Sequence, residues 1–111
     1  MKNVNINMIS FHDGYVIASC NEIQEKLQDE PIYILKTDDP EYWKTHIKFN
    51  SKLDDGTVFS IYDYKLNDYN SDNRDEIITF HIGTHTAQDT IKVVKFLKEK
   101  NLKAIYDPYY F

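Results

Sequence analysis

The chain has 111 residues, of which 41% are hydrophobic and 28% are charged, and its formal net charge is −5. This length and composition fit one globular domain over residues 1–111 with a core of its own. No apolar run approaches the roughly 20 residues of a membrane-spanning helix, and the first residues alternate polar and apolar instead of resembling a signal peptide. We therefore expect a cytoplasmic protein with no membrane partner.

Charge is distributed unevenly along the chain. Residues 1–90 hold eight Lys and Arg against sixteen Asp and Glu, whereas residues 91–103 hold five Lys against Glu99 alone. The acidic body would repel a phosphate backbone, so we expect it to make no direct nucleic-acid contact. Two interpretations stay open: the lysines complement a helix macrodipole and solvate that surface, or the acidic body contacts a basic surface of another protein.

The first third of the chain predicts a hairpin and a short helix. Residues 3–8 alternate Asn with apolar side chains, which is typical of a strand, and Asp13-Gly14 predicts a tight turn into a second strand over residues 15–18. Ser19 and Glu22 have capping-box spacing, which predicts a helix from Cys20 to about residue 28. An extended segment over residues 31–35 follows.

The strongest strand signals lie between Trp43 and Gly83. Alternating apolar residues predict two strands joined at Asp54-Asp55-Gly56, and residues 76–83 predict a third strand. Residues 66–75 are polar and predict a loop.

The C-terminal third predicts a longer helix. Thr86 and Asp89 have the spacing of a helix start, and apolar residues at a period of 3.6 predict a helix to Lys100. Residues 102–111 predict a final strand or a docked segment, which Pro108 would restrict to a sheet edge.

Together these elements predict an α+β fold. We expect a single antiparallel sheet of about four to five strands with two helices, the longer C-terminal helix packed on one face. The core is expected to contain Phe59, Ile61, Ile78, Phe80, Ile82, Ile91, Val94 and Leu97.

No catalytic or metal-binding motif of high specificity occurs. His81 and His85 straddle a predicted strand end and helix start, so they do not share a helix face as a zinc pair would. The lone Cys20 has no partner at zinc spacing, and we expect it to be at least half-buried. The sequence therefore predicts no catalytic residue, no metal and no cofactor.

Two groups of residues are candidate binding sites. His81, Thr84, His85 and Thr86 surround a predicted helix N-terminus and could present hydroxyls, imidazoles and backbone N–H groups to a phosphate, although a plain helix cap explains the same residues. Trp43, Tyr62 and Tyr64 lie beside charged residues or loops, and surface aromatic residues of this kind can anchor a partner or stack on a base.

The segment from Asp55 to Lys65, with Gly-Thr-Val followed by Ile-Tyr-Asp-Tyr-Lys, precedes Phe80-His81-Ile82-Gly83 and a helix. This pattern resembles a group of small uncharacterised proteins encoded by bacteriophages, and the likeness covers about half the chain. The resemblance implies an origin in a mobile element, where small acidic proteins often block or sequester host factors such as CRISPR effectors or the nucleotide messengers of immune systems.

Two classes of function follow as expectations. In the first, the chain is a phage-derived binding or inhibitor protein in the host cytoplasm, whose partner is a host protein, an effector complex or a nucleotide ligand. In the second, it is a small nucleotide-processing hydrolase that uses His residues. The absence of a catalytic constellation favours binding over catalysis, and the sequence leaves oligomerisation open.

Overall fold

The computed structural model describes residues 11–33, 46–64 and 73–107. Within these ranges lie, in chain order, β1 (Phe11–Ser19), α1 (Cys20–Leu27), β2 (Ile32–Tyr33), β3 (Ile47–Lys52), β4 (Val58–Tyr62), β5 (Ile77–Thr84), α2 (Ala87–Glu99) and β6 (Lys103–Tyr106). All the strands join one antiparallel sheet in the order β2-β3-β4-β5-β1-β6. The predicted α+β fold is confirmed.

The predicted count of four to five strands is wrong, because the described residues alone form six. The two edge strands explain the difference. β2 has two residues and β6 has four. Strands this short carry almost no alternating pattern, so local sequence cannot count them reliably.

Asp13-Gly14 does not form the predicted turn but lies inside β1. Phe11 pairs with Thr84 and Gly14 pairs with Ile82. Between these two pairs β1 advances by three residues and β5 by only two, so β1 contains one extra residue. The extra residue makes a β-bulge, and the bulge allows Asp13-Gly14, a dipeptide typical of turns, to lie within a continuous strand. The partner strand predicted at residues 3–8 lies outside the described residues.

Helix capping follows the sequence signals. The Ser19 side chain accepts a hydrogen bond from the Glu22 backbone N–H at the start of α1, and Thr86 does the same for Asp89 at the start of α2. Each cap satisfies one N–H group that has no partner within its helix. Both predicted helix starts are confirmed.

Both helices pack on the same face of the sheet. Strand side chains such as Phe49, Phe80 and Ile82 are completely buried there, against Ile23 of α1 and Leu97 of α2. Most of the predicted core is confirmed. Ile91 is a correction: it is 45% exposed, because it lies at the margin of the apolar stripe of α2. Ile78 is half-buried.

α2 approaches β1 closely at Gly14. A Cβ atom there would lie 3.0 Å from Thr90 Cγ2 and 3.1 Å from Ile82 Cβ. The glycine therefore permits the close contact between the helix and the sheet. The hairpin turn between β3 and β4 needs a glycine for a different reason: Gly56 has a φ of +92°, a backbone conformation that other residues rarely adopt.

Neither of the two helices in the described ranges has the length and apolar composition needed to cross a membrane.

Candidate functional site

The sheet has a second face, on which neither of the described helices packs. We call it the helix-free face. Strand pairing places Lys48, Tyr62, His81, Tyr15 and Ile105 opposite one another in one row across β3, β4, β5, β1 and β6. Side chains directly opposite on neighbouring antiparallel strands have Cβ atoms about 4.5–5.5 Å apart, so this register brings the central rings of the row into contact.

His81 lies at the centre of a cluster of rings on this face. Its ring centroid is 5.7 Å from that of Tyr62, with the planes stacked at 23°. Tyr64 and Tyr15 contact the same imidazole edge-on, with centroids at 5.5 Å and 5.0 Å. We call these rings, together with His12, the ring cluster.

The bulge in β1 brings His12 into the ring cluster. His12 is one of the two residues between the register positions Phe11 and Gly14, and its Nδ1 forms a hydrogen bond with the Tyr62 hydroxyl. The two rings also meet edge-on, with centroids 5.8 Å apart. Bulges often redirect a side chain next to a functional site, and this one places a second imidazole beside Tyr62.

Burial within the ring cluster increases from its rim inward. His12 is exposed and Tyr64 is 38% exposed, whereas Tyr62 and His81 are half-buried and Tyr15 is 7% exposed. The cluster therefore presents tyrosine and imidazole edges at its rim while its inner rings are held by packing. Rigid, amphipathic rings of this kind are well suited to anchoring a partner.

The ring cluster carries no fixed positive charge near neutral pH. Burial lowers the pKa of His81, and the nearby His12 lowers it further, while Asp63 opposes the shift. Partial burial also lowers the pKa of His12, against the opposing effect of Asp13. Burial and the neighbouring tyrosines raise the pKa of the Tyr62 hydroxyl. Both imidazoles and the phenol are thus mainly neutral at pH 7.

A buried carboxylate supports the edge of this site. Asp63 is fully buried, and its Oδ1 accepts hydrogen bonds from the backbone N–H groups of His46 and Ile47, each at 2.8 Å. Its Oδ2 lies 2.8 Å from His46 Nδ1. Asp63 thereby joins the end of β4 to the start of β3 and orients a third imidazole.

The pairing of Asp63 with His46 was not predicted from the sequence, although a signal for it exists. The predicted turn at residues 54–56 fixes which residues of β3 and β4 pair with each other. Continuing those pairs away from the turn places Asp63 opposite Ile47, beside His46. The contact between His12 and Tyr62 has no comparable signal, because it spans 50 residues and depends on a bulge.

The predicted residues at the start of α2 do not converge with His81. Thr84 is completely buried on the helix-covered face, because side chains alternate along β5 and His81 lies on the other face. The Thr84 hydroxyl donates to the Thr86 carbonyl at 2.8 Å and also contacts Thr90 Oγ1 at 2.6 Å. These internal hydrogen bonds and the Thr86 cap explain both threonines structurally. His85 is exposed beside them.

Of the predicted aromatic site residues, the structure brings together Tyr62 and Tyr64, whose centroids are 6.4 Å apart. Trp43 lies outside the described residues.

Among the described residues, no group of three or more potential His, Cys, Asp or Glu ligands could hold a metal ion. Cys20 is fully buried, as predicted, and burial raises the pKa of its thiol. A buried thiol with a raised pKa is a poor nucleophile, so Cys20 has a packing role.

No protein-family model matches this chain, and neither a curated protein nor a solved structure matches it significantly.

Proposed function

We propose that this chain is a small phage-derived binding protein that blocks a host factor, and that the ring cluster is its contact surface. The observation that carries the proposal is the cluster itself, a set of five rings in contact on the helix-free face. Four of the rings belong to the neighbouring strands β1, β4 and β5, and the fifth, that of Tyr64, follows β4 directly. Interface hot spots are enriched in tyrosine.

The neutral state of the ring cluster defines the kind of partner. Because burial holds His12 and His81 largely uncharged near pH 7, the rings themselves offer no cation to a phosphate, and the cation of the row is Lys48, opposite Tyr62. The chemistry of the cluster suits the side chains of a host protein or effector complex, or the planar face of a base. Inhibition of a CRISPR effector and sequestration of an immune nucleotide are the two forms of counter-defence that fit this chemistry.

Capture from host lysate tests this proposal. The wild-type protein should retain a host protein or a small molecule in a fixed stoichiometry, identified by mass spectrometry. Tyr64→Ala should reduce that retention. Tyr33→Ala is a matched control, because Tyr33 is 41% exposed, similar to the 38% of Tyr64, yet lies on the edge strand β2 away from the cluster. Equal retention by both variants would contradict the proposal.

One observation favours a second function, a small nucleotide-processing hydrolase. His12 and His81 both contact Tyr62, from different directions, and a neutral imidazole can act as a general base near pH 7. In this case a panel of mono-, cyclic and oligonucleotides should include one that is turned over, and His81→Gln should abolish the turnover. The binding function instead predicts complex formation without turnover.

A further inference from the structure

A groove lies between α2 and the edge strand β6, apart from the ring-cluster residues. Ile91, Val94, Lys95 and Lys98 of α2 form one wall and residues 104–106 of β6 form the other, around a cavity of about 500 Å³. We call it the β6 groove. Ile91, which is 45% exposed, is the large apolar side chain that the groove presents to solvent, and the buried Val94 and Ala104 also line it. Ile105 borders the groove through the strand, but its side chain lies on the helix-free face opposite Tyr15.

β6, the strand that borders the groove, is the last strand of the sheet formed by the described residues. Within the described part of the chain, β6 pairs with β1 alone. The other edge of such a strand presents backbone N–H and C=O groups, onto which an extended segment can add as a further strand. The β6 groove thus combines a hydrogen-bonding edge with an apolar floor.

Charge at the groove favours an acidic occupant. Lys95 and Lys98 lie in its helix wall. Pairing with a second copy through the same edge would bring two sets of these lysines together, and that repulsion opposes a homodimer. An acidic segment of another protein would instead be attracted.

We propose that the β6 groove binds an extended, acidic segment of a partner protein, which adds as a strand beside β6 and places an apolar side chain near Ile91 and acidic side chains near Lys95 and Lys98. Main-chain hydrogen bonds would supply affinity. The apolar contact and the lysines would supply selectivity.

Fluorescence anisotropy on the full chain with a labelled peptide Glu-Ser-Ile-Ser-Glu-Ser-Ile-Ser tests this proposal, because its Glu and Ile side chains share one face of a strand. We call it the Glu-Ile peptide. The peptide should bind saturably, and its affinity should fall as salt is added. Two matched peptides, one with Lys in place of Glu (the Lys-Ile peptide) and one with Ser in place of Ile, should bind at least about tenfold more weakly, because each lacks one of the two recognised features.

Charge-reversal variants locate the binding. The double variant Lys95→Glu/Lys98→Glu should weaken binding of the Glu-Ile peptide by at least about tenfold. Lys100→Glu reverses one charge at the C-cap of the same helix but outside the groove, and it should bind like the wild type, whereas Lys98→Glu alone should weaken binding. Circular dichroism would establish that each variant is folded.

Two substitutions of exposed isoleucines complete the test. Ile91→Ser should weaken peptide binding, whereas Ile77→Ser, at a residue 69% exposed on β5, should not. Absence of saturable binding, equal binding of the Lys-Ile peptide, or unchanged affinity in the double variant would overturn the proposal. A wild-type dimer in sedimentation that dissociates in Ile91→Ser would also overturn it, because the occupant would then be a second copy.

Discussion

At the residue scale, Asp63 should contribute substantially to the stability of the fold through its buried hydrogen bonds. Its buried carboxylate accepts two backbone N–H groups and contacts the His46 ring. Asp63→Ala would leave both N–H groups without this acceptor, so we expect the free energy of unfolding to fall by about 2–4 kcal/mol. Chemical denaturation measures this loss.

Two comparison variants make that measurement specific. Asp63→Asn keeps one carbonyl oxygen as an acceptor, so its loss should be smaller. Asp54→Ala removes a carboxylate from the exposed hairpin turn and should change stability by less than about 0.5 kcal/mol. Equal stability of Asp63→Ala and Asp54→Ala would contradict the role assigned to Asp63.

His81 should make folding stability depend on pH. Its pKa in the folded protein lies below the ordinary value of 6.5, because burial disfavours the charged ring. Below pH 6.5 the unfolded chain therefore binds the proton more readily than the folded chain does. The stability contributed by the neutral ring is present above pH 6.5 and is lost as the pH falls through the lowered pKa.

Unfolding free energies measured between pH 7.5 and pH 5 check this expectation. The wild-type stability should decline towards acid, and the decline should be smaller in His81→Gln, which cannot titrate. Parallel curves for the two proteins would show that His81 does not cause the dependence. An NMR titration of the His81 ring should give a pKa below 6.5 directly.

At the residue scale, sequence reasoning identified individual side chains better than their partners. Tyr62 and Tyr64 could be selected because each stands beside charged residues in a strand pattern. The contact of His12 with Tyr62 could not be predicted, because it requires a bulge and the pairing of strands far apart in sequence. Trp43 remains a prediction.

At the scale of elements, α2 packs closely on β1 at Gly14. Gly14→Ala would place a methyl group 3.0 Å from Thr90 Cγ2 and 3.1 Å from Ile82. We expect this overpacking to lower the free energy of unfolding by about 1–3 kcal/mol.

A second substitution tests the cause of that loss. Thr90→Ser removes the Cγ2 methyl group but keeps the hydroxyl that contacts Thr84. Gly14→Ala should therefore cost less in the Thr90→Ser background than alone, and a double-mutant cycle measures the difference. Additive losses would show that the helix does not constrain this position.

Capping and turn residues were sufficient to predict both helices and the hairpin of β3 and β4. Ser19 and Thr86 cap their helices because short hydroxyl side chains satisfy the first free N–H groups. The same local reasoning failed at Asp13-Gly14, because only the register with β5 distinguishes a bulge from a turn. The short edge strands lie where the sequence predicted an extended segment, for β2, and a final strand or docked segment, for β6, but two and four residues carry too little periodicity to specify a strand.

At the scale of the whole molecule, one core between the sheet and both helices should dominate stability. Phe80 is completely buried on the central part of the sheet, so Phe80→Ala should cost about 3–5 kcal/mol by leaving a cavity. Ile77→Ala on the same strand is the control, because Ile77 is 69% exposed and its loss should cost little. Thermal stability equal to the wild type in Phe80→Ala would contradict this packing.

The two faces of the sheet therefore have different roles in this account. The helix-covered face holds the core, and the helix-free face carries the ring cluster. Sequence alternation assigned Phe80 and Ile82 to the apolar face of β5 and His81 to the other, so the division of faces was predictable, whereas the convergence of the rings required the register of three strands.

The most direct test of the central claim is the affinity of the captured partner for Tyr62→Ala and Tyr64→Ala, measured by titration calorimetry beside the wild type and Tyr33→Ala. If the ring cluster is the contact surface, each cluster variant should lose about 1–4 kcal/mol of binding free energy while remaining folded, and Tyr33→Ala should bind like the wild type. Wild-type affinity in both cluster variants would contradict the claim.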